Sequence, residues 1–442
     1  MAVKVKVNTI NVSVFVTAYP GRGSHRAFAR GSDGRLWIAY RGATDGYIWA
    51  AYSADGGRTW TEEQVSASVY QNAAGGVILM IDSADVPHII WHYYTGTERI
   101  EYASRATGSW VVETVYTSGG IISDVSACID SANGFHIAFE ESTIVYYVTG
   151  IAGSWSAKET IDADGLGPTD ITVDSTNIPF VVYWATPATV AGFYMKHRTG
   201  GVWSAIEQIS SVTQTVGSPS IAMDSSDNLH AAWNGDGYLN DLGKEVRYRK
   251  RTGGSWGTDT QIKKVPDDGV SRDMGPPLLL LDSDDNPWIV YQERYPPAEN
   301  GGDESVYYKK ITNGAVGGQV LIDSSIIRPG NYSSVFAGLW QRYNSSPILG
   351  TESSSIVGSE YHPVVALSHE ITGATAEIYF EAADYVPRVQ FYQLTIKGLH
   401  IPYEDLDGTK ELHVVLKNLS PTSKLSGVDG EVVVRIGHKL AA

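Results

Sequence analysis

Cysteine is almost absent from the chain, and so are long apolar runs. Cys128 is the only cysteine among 442 residues, which excludes an intrachain disulfide and a cysteine-ligated zinc site. No stretch approaches the roughly 18 apolar residues of a membrane-spanning helix. Residues 1–7 also lack the apolar core of a secretory signal. We therefore expect cytoplasmic synthesis without a signal peptide, or removal of a leader.

Basic residues are in deficit as well. The chain has 33 Lys and Arg residues against 49 Asp and Glu residues, a formal net charge of -16, and its pI is near 5.1. A field of this sign repels phosphate groups. The composition therefore excludes nucleic acid and an anionic membrane as expected partners.

Tyrosine, tryptophan and glycine are abundant, at 26, 12 and 46 residues. Aromatic side chains favour strands, glycines favour turns, and long runs of helix-forming residues are few. The composition therefore predicts an all-β protein. At 442 residues, it should contain either two domains or one large repeat domain.

Two short elements repeat along the chain. A Gly-x-Trp or Gly-Gly-x-Trp turn recurs after Trp60 at intervals of 50, 45, 48 and 53 residues, at Trp110, Trp155, Trp203 and Trp256. Between these turns lies an Asp-Ser pair followed by a short apolar strand, at Asp82, Asp130, Asp174, Asp224 and Asp282, with Gly31 in the first unit. Each period reads strand, Asp-Ser turn, strand, longer loop, strand, Gly-Trp turn, strand. Four antiparallel strands in such a period are one blade of a β-propeller.

Six such units run from about residue 26 to residue 324. An alternating strand at 11–18 and strand-like segments within 331–367 remain, and joining them in one shared blade would leave no exposed sheet edge. We predict a propeller of seven blades over residues 1–367, closed by the N-terminal strand, with six blades as the alternative. Residues 368–442 alternate at shorter intervals without either turn, and they predict a small C-terminal β-sandwich module.

Three histidines, His88, His136 and His230, stand six residues after the Asp of their turns. The equivalent positions of other units hold Trp37, Phe180 and Trp288. A position that accepts Trp, Phe or His is a packing position, and a ring of blades keeps the three histidines apart. We therefore expect no metal site, and no motif indicates a cofactor.

The two faces of such a ring differ. The Asp-Ser and Gly-Trp turns share one face, and the loop after each second strand lies on the other. The loops of that other face carry carboxylates, aromatic rings and arginines, which suit a polar ligand such as a glycan. The candidate ligand-binding residues are Arg41, Trp184, Asp236 and Arg294. The alternative is that these loops are merely solvated.

Residues 53–60 carry the pattern Ser-x-Asp-x-Gly-x-Thr-Trp, and they predict a structural hairpin turn formed by Ser53, Asp55, Gly57, Thr59 and Trp60. The pattern resembles the Asp-box of the sialidase family. The resemblance implies a sialidase-like β-propeller. Because this turn lies on the face opposite the loops, it indicates a fold more than a reaction.

The order of segments before this turn also looks like a sialidase N-terminal blade. The resemblance implies that Arg26, Arg272 and Arg328 bind a substrate carboxylate and that Asp45 is the loop acid. Tyr295 or Tyr332, with Glu293, would supply the nucleophile and its base. On this interpretation the protein is a sialidase-like glycoside hydrolase.

The competing interpretation is a binding protein. A propeller with few cysteines, no signal peptide and an extra β-module resembles the sialidase-like propellers of bacteriophage tails and other virion surfaces. That resemblance implies release by lysis, recognition of a cell-surface glycan or polysaccharide by the loops, and docking of the C-terminal module to virion or tail proteins or into a homo-oligomer. We expect this glycan-binding function, and enzymatic activity as a sialidase or a polysaccharide lyase is the alternative.

Overall fold

The computed structural model of the chain describes residues 7–12, 27–41, 46–54, 60–68, 77–94, 96–186, 191–210, 217–236, 244–265, 273–282, 284–294, 304–324, 331–338, 364–371, 375–382, 411–415 and 431–435. Every regular element in these ranges is a β-strand, which confirms the all-β prediction. Within the same ranges, no helix is long and apolar enough to cross a membrane.

The described strands form seven antiparallel sheets of four to six strands and one further pair. The first strand, β1 (Val7–Val12), belongs to sheet 7. Sheet 1 consists of β2 (Phe28–Arg30), β3 (Leu36–Arg41), β4 (Ile48–Ser53) and β5 (Thr61–Gln64). Sheet 2 consists of β6 (Val77–Ile81), β7 (Pro87–Tyr94), β8 (Glu98–Ser104) and β9 (Val111–Thr117). Sheet 3 consists of β10 (Ile122–Ile129), β11 (Phe135–Glu141), β12 (Ile144–Ile151), β13 (Ser154–Trp155) and β14 (Glu159–Asp162).

The later sheets follow the same order along the chain. Sheet 4 consists of β15 (Gly165–Val173), β16 (Pro179–Ala185), β17 (Gly192–Thr199), β18 (Val202–Trp203) and β19 (Glu207–Gln208). Sheet 5 consists of β20 (Pro219–Met223), β21 (Leu229–Asp236), β22 (Lys244–Thr252), β23 (Ser255–Trp256) and β24 (Thr260–Lys264). Sheet 6 consists of β25 (Asp273–Met274), β26 (Leu278–Leu281), β27 (Pro287–Arg294), β28 (Glu304–Thr312), β29 (Ala315–Val316) and β30 (Val320–Ser324). Sheet 7 consists of β31 (Asn331–Gly338), β32 (Val364–Ile371), β33 (Thr375–Ala382) and β1, and the further pair is β34 (Glu411–Val415) with β35 (Glu431–Arg435).

The repeat unit of the sequence is the repeat unit of the structure. In sheets 1 to 6 the strand positions follow the order of the chain, with β25 and β26 sharing the first position of sheet 6. The Asp-Ser turn, or Gly31-Ser32 in sheet 1, joins the first position to the second. In sheets 3 to 6 the fourth position is divided into two short strands that both pair with the third. Successive four-stranded antiparallel sheets of this kind are consistent with a β-propeller.

The hydrophobic core lies between successive sheets. Trp37 of sheet 1 packs in one cluster with Leu79 and Trp91 of sheet 2, and similar clusters join sheets 2 to 3, 3 to 4, 4 to 5 and 5 to 6. Sheets 2 to 5 each belong to two of these clusters and therefore have two buried faces. This explains why β11 is buried at all seven positions and reads as an almost continuous apolar run instead of an alternating one.

Sheet 7 joins the two ends of the chain. β1 is its outer strand and pairs with β33, with Ile10 opposite Ile378 and Val12 opposite Ala376. Its opposite outer strand, β31, contacts β28 of sheet 6 and β2 of sheet 1. The N-terminal segment thus pairs with the C-terminal part of the propeller region, through residues 7–12 instead of the predicted 11–18.

The predicted domain boundary falls inside this sheet. Residues 367 and 368 both lie in β32, which pairs with β31 and β33, and β33 lies wholly within the range 368–442 that the sequence assigned to the C-terminal module. The residues between β31 and β32, 339–363, contain no Asp-Ser turn that would mark this pair in the sequence. Further on, β34 pairs with β35. A separate C-terminal β-sandwich stays a prediction.

Candidate functional site

The strand order gives each of sheets 1 to 6 two opposite ends, where consecutive strands are joined. One end, here called the turn edge, carries the Asp-Ser and Gly-Trp turns. The other end, here called the loop edge, carries the connection from the second strand to the third. The residues that recur most regularly in the sequence lie at the turn edge.

The aspartates of the Asp-Ser turns hold those turns closed. Asp82 is representative, because its Oδ1 accepts the backbone N–H groups of Ala84 and Val86 at 2.9 and 2.8 Å. The fourth residue of each described turn is left-handed, with φ of 60° at Asp85 and 62° at Asn133. Asn and Asp tolerate this conformation better than other side chains do, which accounts for their presence there.

The turns are also tied to one another from sheet to sheet. The backbone N–H and Oγ–H of Ser175 donate to the carboxylate of Asp227 in the next sheet, at 2.8 and 2.7 Å. Four further serine contacts repeat this bond between successive sheets, from Ser32 to Asp85, Ser83 to Asn133, Ser131 to Asn177 and Ser225 to Asp285. Each serine of the repeat therefore stabilises the packing of two neighbouring sheets.

The three repeated histidines lie between an aspartate and a tyrosine. His136 Nε2 lies 3.1 Å from Asp130 Oδ2, and its Nδ1 lies 2.5 Å from the Tyr147 hydroxyl. His230 has the same arrangement with Asp224 and Tyr248 at 3.2 and 2.8 Å. In sheet 6 the same position holds a tryptophan whose Nε1–H donates to the turn aspartate at 3.0 Å. In sheets 3, 5 and 6 the residue at this position thus serves as an N–H donor to the turn.

Burial lowers the pKa of His230, against the influence of Asp224, so the ring is neutral near pH 7. A neutral ring donates Nε2–H to Asp224 and accepts the Tyr248 hydroxyl proton at Nδ1. Among the described residues, no group of three or more His, Cys, Asp or Glu side chains is placed to hold a metal ion.

The tryptophans of the Gly-Trp turns pack against the preceding sheet. Trp110 Nε1 donates to Glu63 at 2.9 Å, and Trp155 Nε1 donates to Glu113 at 2.9 Å. Of the Asp-box residues, Ser53 is buried and Trp60 is half-buried, while Asp55, Gly57 and Thr59 lie outside the described residues.

A change of residue type at the end of each second strand distinguishes the loop edge. Eight residues after the Asp of the turn, or after Gly31 in sheet 1, every unit has a buried apolar residue: Ala39, Ile90, Ala138, Val182, Ala232 and Val290. Ten residues after it, on the same side of the strand, every unit has a polar or aromatic one, here called the loop-edge residues: Arg41, His92, Glu140, Trp184, Asn234 and Gln292. The apolar residues of each second strand therefore give way to polar or aromatic ones within one strand period, and His92, Glu140 and Trp184 among these are themselves buried.

Several loop-edge residues brace the next sheet. Glu140 accepts the backbone N–H of Gly167 at 2.9 Å, and a Cβ on this glycine would lie only 2.5 Å from the same carboxylate. Asn234 similarly donates to the carbonyl of Met274 at 2.8 Å. His92 bonds to Glu98, and both side chains are buried. Burial lowers the pKa of His92, against the influence of Glu98.

Asp124 lies beside Glu140 and is fully buried. Its Oδ2 accepts the backbone N–H and the hydroxyl of Thr169 in sheet 4, at 2.5 and 2.8 Å. Its Oδ1 is buried without a hydrogen-bond partner among the described residues. Burial raises the pKa of Asp124 to about 7, the Thr169 bonds oppose this shift, and the charges of Glu140 and Asp170 add to it. A carboxyl group of this kind holds a proton close to neutral pH.

The sequence-predicted site residues are spread over several sheets. Arg41, Asp236 and Arg294 end β3, β21 and β27 at the loop edge, although the description does not extend to their side chains. Trp184 is 7% exposed and packs between sheets 4 and 5. Glu293 is 2% exposed, with Lys263 Nζ and Gln319 Nε2 at 2.9 and 3.0 Å.

The remaining members of the predicted catalytic set lie outside the description. They are Arg26, Asp45, Arg272, Tyr295 and Arg328. Only the backbone of Tyr332 is described, in β31. Their catalytic roles stay predictions.

Sequence reasoning did not name four of the six loop-edge residues as candidates, His92, Glu140, Asn234 and Gln292, and it also passed over Asp124. The first four could have been found by counting ten residues from each turn aspartate. Asp124 has no such signal, because its environment is formed by two different sheets.

Comparisons with known proteins support the fold and do not identify a family. No protein-family model matches the chain, and no curated protein matches it. Among solved structures, it is similar to a PL25 ulvan lyase bound to -[GlcA(1-4)Rha3S]-, with a TM-score of 0.53 and 12% identity over 85% of this chain and 96% of the lyase. It is also similar to the polysaccharide lyase Uly1, with a TM-score of 0.51 and 10% identity over 86% of this chain and 100% of the lyase.

Proposed function

We propose that the loop edge is a glycan-binding surface. The observation that carries this proposal is the change from apolar residues at the eighth position to the loop-edge residues at the tenth in all six units. Packing between sheets explains the apolar set and also engages Glu140, Trp184 and Asn234, but it does not by itself require a polar or aromatic residue at this position in every unit. Donors, acceptors and an aromatic ring gathered at one edge are what recognition of sugar hydroxyls and ring faces uses. The likeness to two lyase structures supports the fold on which such a surface would be built.

The proposed architecture is a propeller of seven blades, with sheet 7 as the closing blade. The pairing of β1 with β33 and the contacts of β31 with β28 and β2 support this count. We place the end of the propeller after Ala382, the last residue of β33, and assign residues 383–442 to a separate module.

Truncation tests this architecture. Removing residues 1–12 deletes β1 and exposes the edge of β33, so it should lower the thermal unfolding midpoint and promote association through that edge. Removing residues 383–442 should leave the midpoint unchanged. Equal midpoints for the two truncations would contradict closure by β1, and a lower midpoint for the second would contradict the boundary.

Catalysis on a glycan is the second candidate. The Asp124 carboxyl, whose pKa is about 7, is a group able to hold or release a proton near neutral pH, and the buried His92–Glu98 pair lies at the same edge. The sialidase-like set of Arg26, Asp45, Arg272, Arg328, Glu293 and Tyr295 is one version of this proposal. A position on a virion or tail, with docking through the C-terminal module, also stays a proposal from the sequence.

A glycan array and a parallel turnover assay separate the two candidates. Wild type should bind a subset of glycans, and Arg41→Ala should lower the affinity for them roughly tenfold, because a guanidinium bond to a ligand is worth about 1.5–3 kcal/mol. Arg35→Ala is the matched control, since Arg35 belongs to the same sheet but lies at the turn edge, beside Asp33. Release of cleaved product would favour the enzyme. Binding that is absent from wild type, or lost equally in both variants, would overturn the proposed function.

A further inference from the structure

Arg99 differs from the other arginine side chains that the structure describes. The structure describes seven arginine side chains, and six of them bond to a carboxylate or a carbonyl: Arg35, Arg105, Arg198, Arg247, Arg249 and Arg251. Arg99 Nε is buried without a hydrogen-bond partner in the described part of the chain. The nearest recorded carboxylate oxygen, Glu101 Oε1, lies 4.0 Å from its Nη1.

Glu101 is a weak partner for this guanidinium. Its Oε1 accepts the hydroxyl of Thr114 at 3.0 Å. Burial raises the pKa of Glu101, against the influences of Thr114 and Arg99. A distance of 4.0 Å is too long for a hydrogen bond, so the N–H groups of Arg99 gain little from this carboxylate.

The surroundings of Arg99 favour a ligand at the loop edge. Arg99 is the second residue of β8 and lies opposite Tyr93 of β7 and Thr117 of β9. Directly opposed residues share a sheet face, and Tyr93 belongs to the cluster that faces sheet 1. The Arg99 side chain is 40% exposed, while Tyr93 is mostly buried. The Arg99 side chain therefore projects from the face of sheet 2 that carries Tyr93 and Thr117 and that packs towards sheet 1, and it remains partly open to solvent.

We propose that Arg99 binds an acidic group, a carboxylate or a sulfate ester, on the glycan that the loop edge recognises. This proposal rests on the proposed glycan-binding function. A buried N–H without an acceptor is unfavourable, and an oxyanion that accepts from Nε and one Nη satisfies it through two charge-assisted bonds. Because the chain carries a net charge of -16, this local cation is needed to offset the general repulsion of an acidic sugar.

Calorimetric titration of the full chain tests the proposal with three oligosaccharides: one containing glucuronate, one sulfated but free of carboxylate, and one neutral. At least one acidic probe should bind wild type, and Arg99→Gln should weaken it roughly tenfold or more while leaving the neutral probe unchanged. Arg99→Lys keeps the charge but not the planar fork, so it should retain only part of the affinity. Which acidic probe binds shows whether the group that Arg99 recognises is a carboxylate or a sulfate ester. The affinity of that probe should fall as salt is added.

Arg198→Gln is the control, because Arg198 is tied to Glu159 by bonds of 2.8 and 2.9 Å. If Arg99→Gln does not fold, the salt dependence and the Arg99→Lys variant carry the test. Binding of the neutral probe alone would overturn the role of Arg99 and leave the proposed function standing. No binding by any probe, together with a blank glycan array, would overturn both. Equal weakening by Arg99→Gln and Arg198→Gln would also contradict the proposal.

Discussion

Asp224→Ala should lower the free energy of unfolding by about 2–4 kcal/mol, because it leaves the buried donors of the turn and of His230 without their acceptor. Asp224 accepts the backbone N–H groups of Ser226 and Asn228 at 2.9 and 2.8 Å. It also accepts His230 Nε2 and Lys250 Nζ, at 3.2 and 2.8 Å. Without Asp224, the turn opens, the histidine loses its acceptor and the lysine loses its counter-charge. Urea unfolding at pH 7 measures the change.

The chain supplies its own control for this prediction. Asp174 closes the equivalent turn of sheet 4, where it accepts bonds from Thr176 and Ile178. The residue at the histidine position is Phe180, which cannot donate to it. Asp174→Ala should therefore cost only about 1–2 kcal/mol, the worth of one or two hydrogen bonds. Equal losses in the two variants would show that the histidine and the lysine add nothing to the turn.

The contribution of Asp224 should disappear in acid. Burial by itself raises the pKa of Asp224, but the bonds from His230, Lys250 and Asn228 outweigh burial and hold the pKa well below its usual range. A carboxyl with a depressed folded pKa contributes stability above its unfolded pKa, near 3.9, and loses it as the pH falls towards the folded value. The stability difference between wild type and Asp224→Ala should thus shrink below about pH 4.

Asp124→Asn should raise the free energy of unfolding, whereas Asp224→Ala lowers it. At pH 8 it should stabilise the protein by about 2–4 kcal/mol relative to wild type, because an amide replaces a carboxylate that is ionised in a fully buried site. The asparagine oxygen can still accept both bonds from Thr169. Its NH₂ group would stand in the place of the oxygen that has no partner among the described residues.

The pH dependence follows from the raised pKa. The folded pKa of Asp124 is about 7, and the unfolded value is near 3.9. Between these values the folded state retains a proton that the unfolded state has released. The folded state of wild type is therefore stabilised fully below the unfolded pKa, and this stability is lost as the pH rises through the folded pKa of about 7. Between the two pKa values the folding equilibrium constant falls about tenfold per pH unit. The free energies of unfolding of wild type and Asp124→Asn, measured from about pH 4 to about pH 8.5, should converge near pH 4, separate as the pH rises to about 7 and stay a constant difference apart above it.

Asp164→Asn is the control for Asp124. Asp164 lies between sheets 3 and 4 but is exposed, so its replacement should leave the pH profile of wild type unchanged. Carboxyl-carbon NMR of the full chain gives a direct check, since the Asp124 resonance should titrate close to neutral pH. Parallel stability profiles for wild type and Asp124→Asn would show that burial does not perturb this carboxyl.

Prediction of the candidate site from sequence was partial. Arg41 and Trp184 were found because the loop after a second strand can be located from the turns. His92 and Asn234 belong to the same set and were overlooked because their identities differ from unit to unit. Arg99 and Asp124 could not be predicted at all. Arg99 is distinguished because its Nε has no acceptor among the described residues. Asp124 is distinguished because the charges of Glu140 and Asp170, which belong to two different sheets, act on it.

The sequence by itself determined the repeat, the four-stranded unit and the turns that join its strands. These features depend on local chemistry: an aspartate that binds the backbone two and four residues later, and an Asn or Asp that accepts a left-handed conformation. Only the tertiary structure decided that β1 pairs with β33, some 360 residues away, that the repeated histidines bond to turn aspartates, and which carboxyl groups are buried together. Such contacts join segments that are distant along the chain, and so no local pattern specifies them.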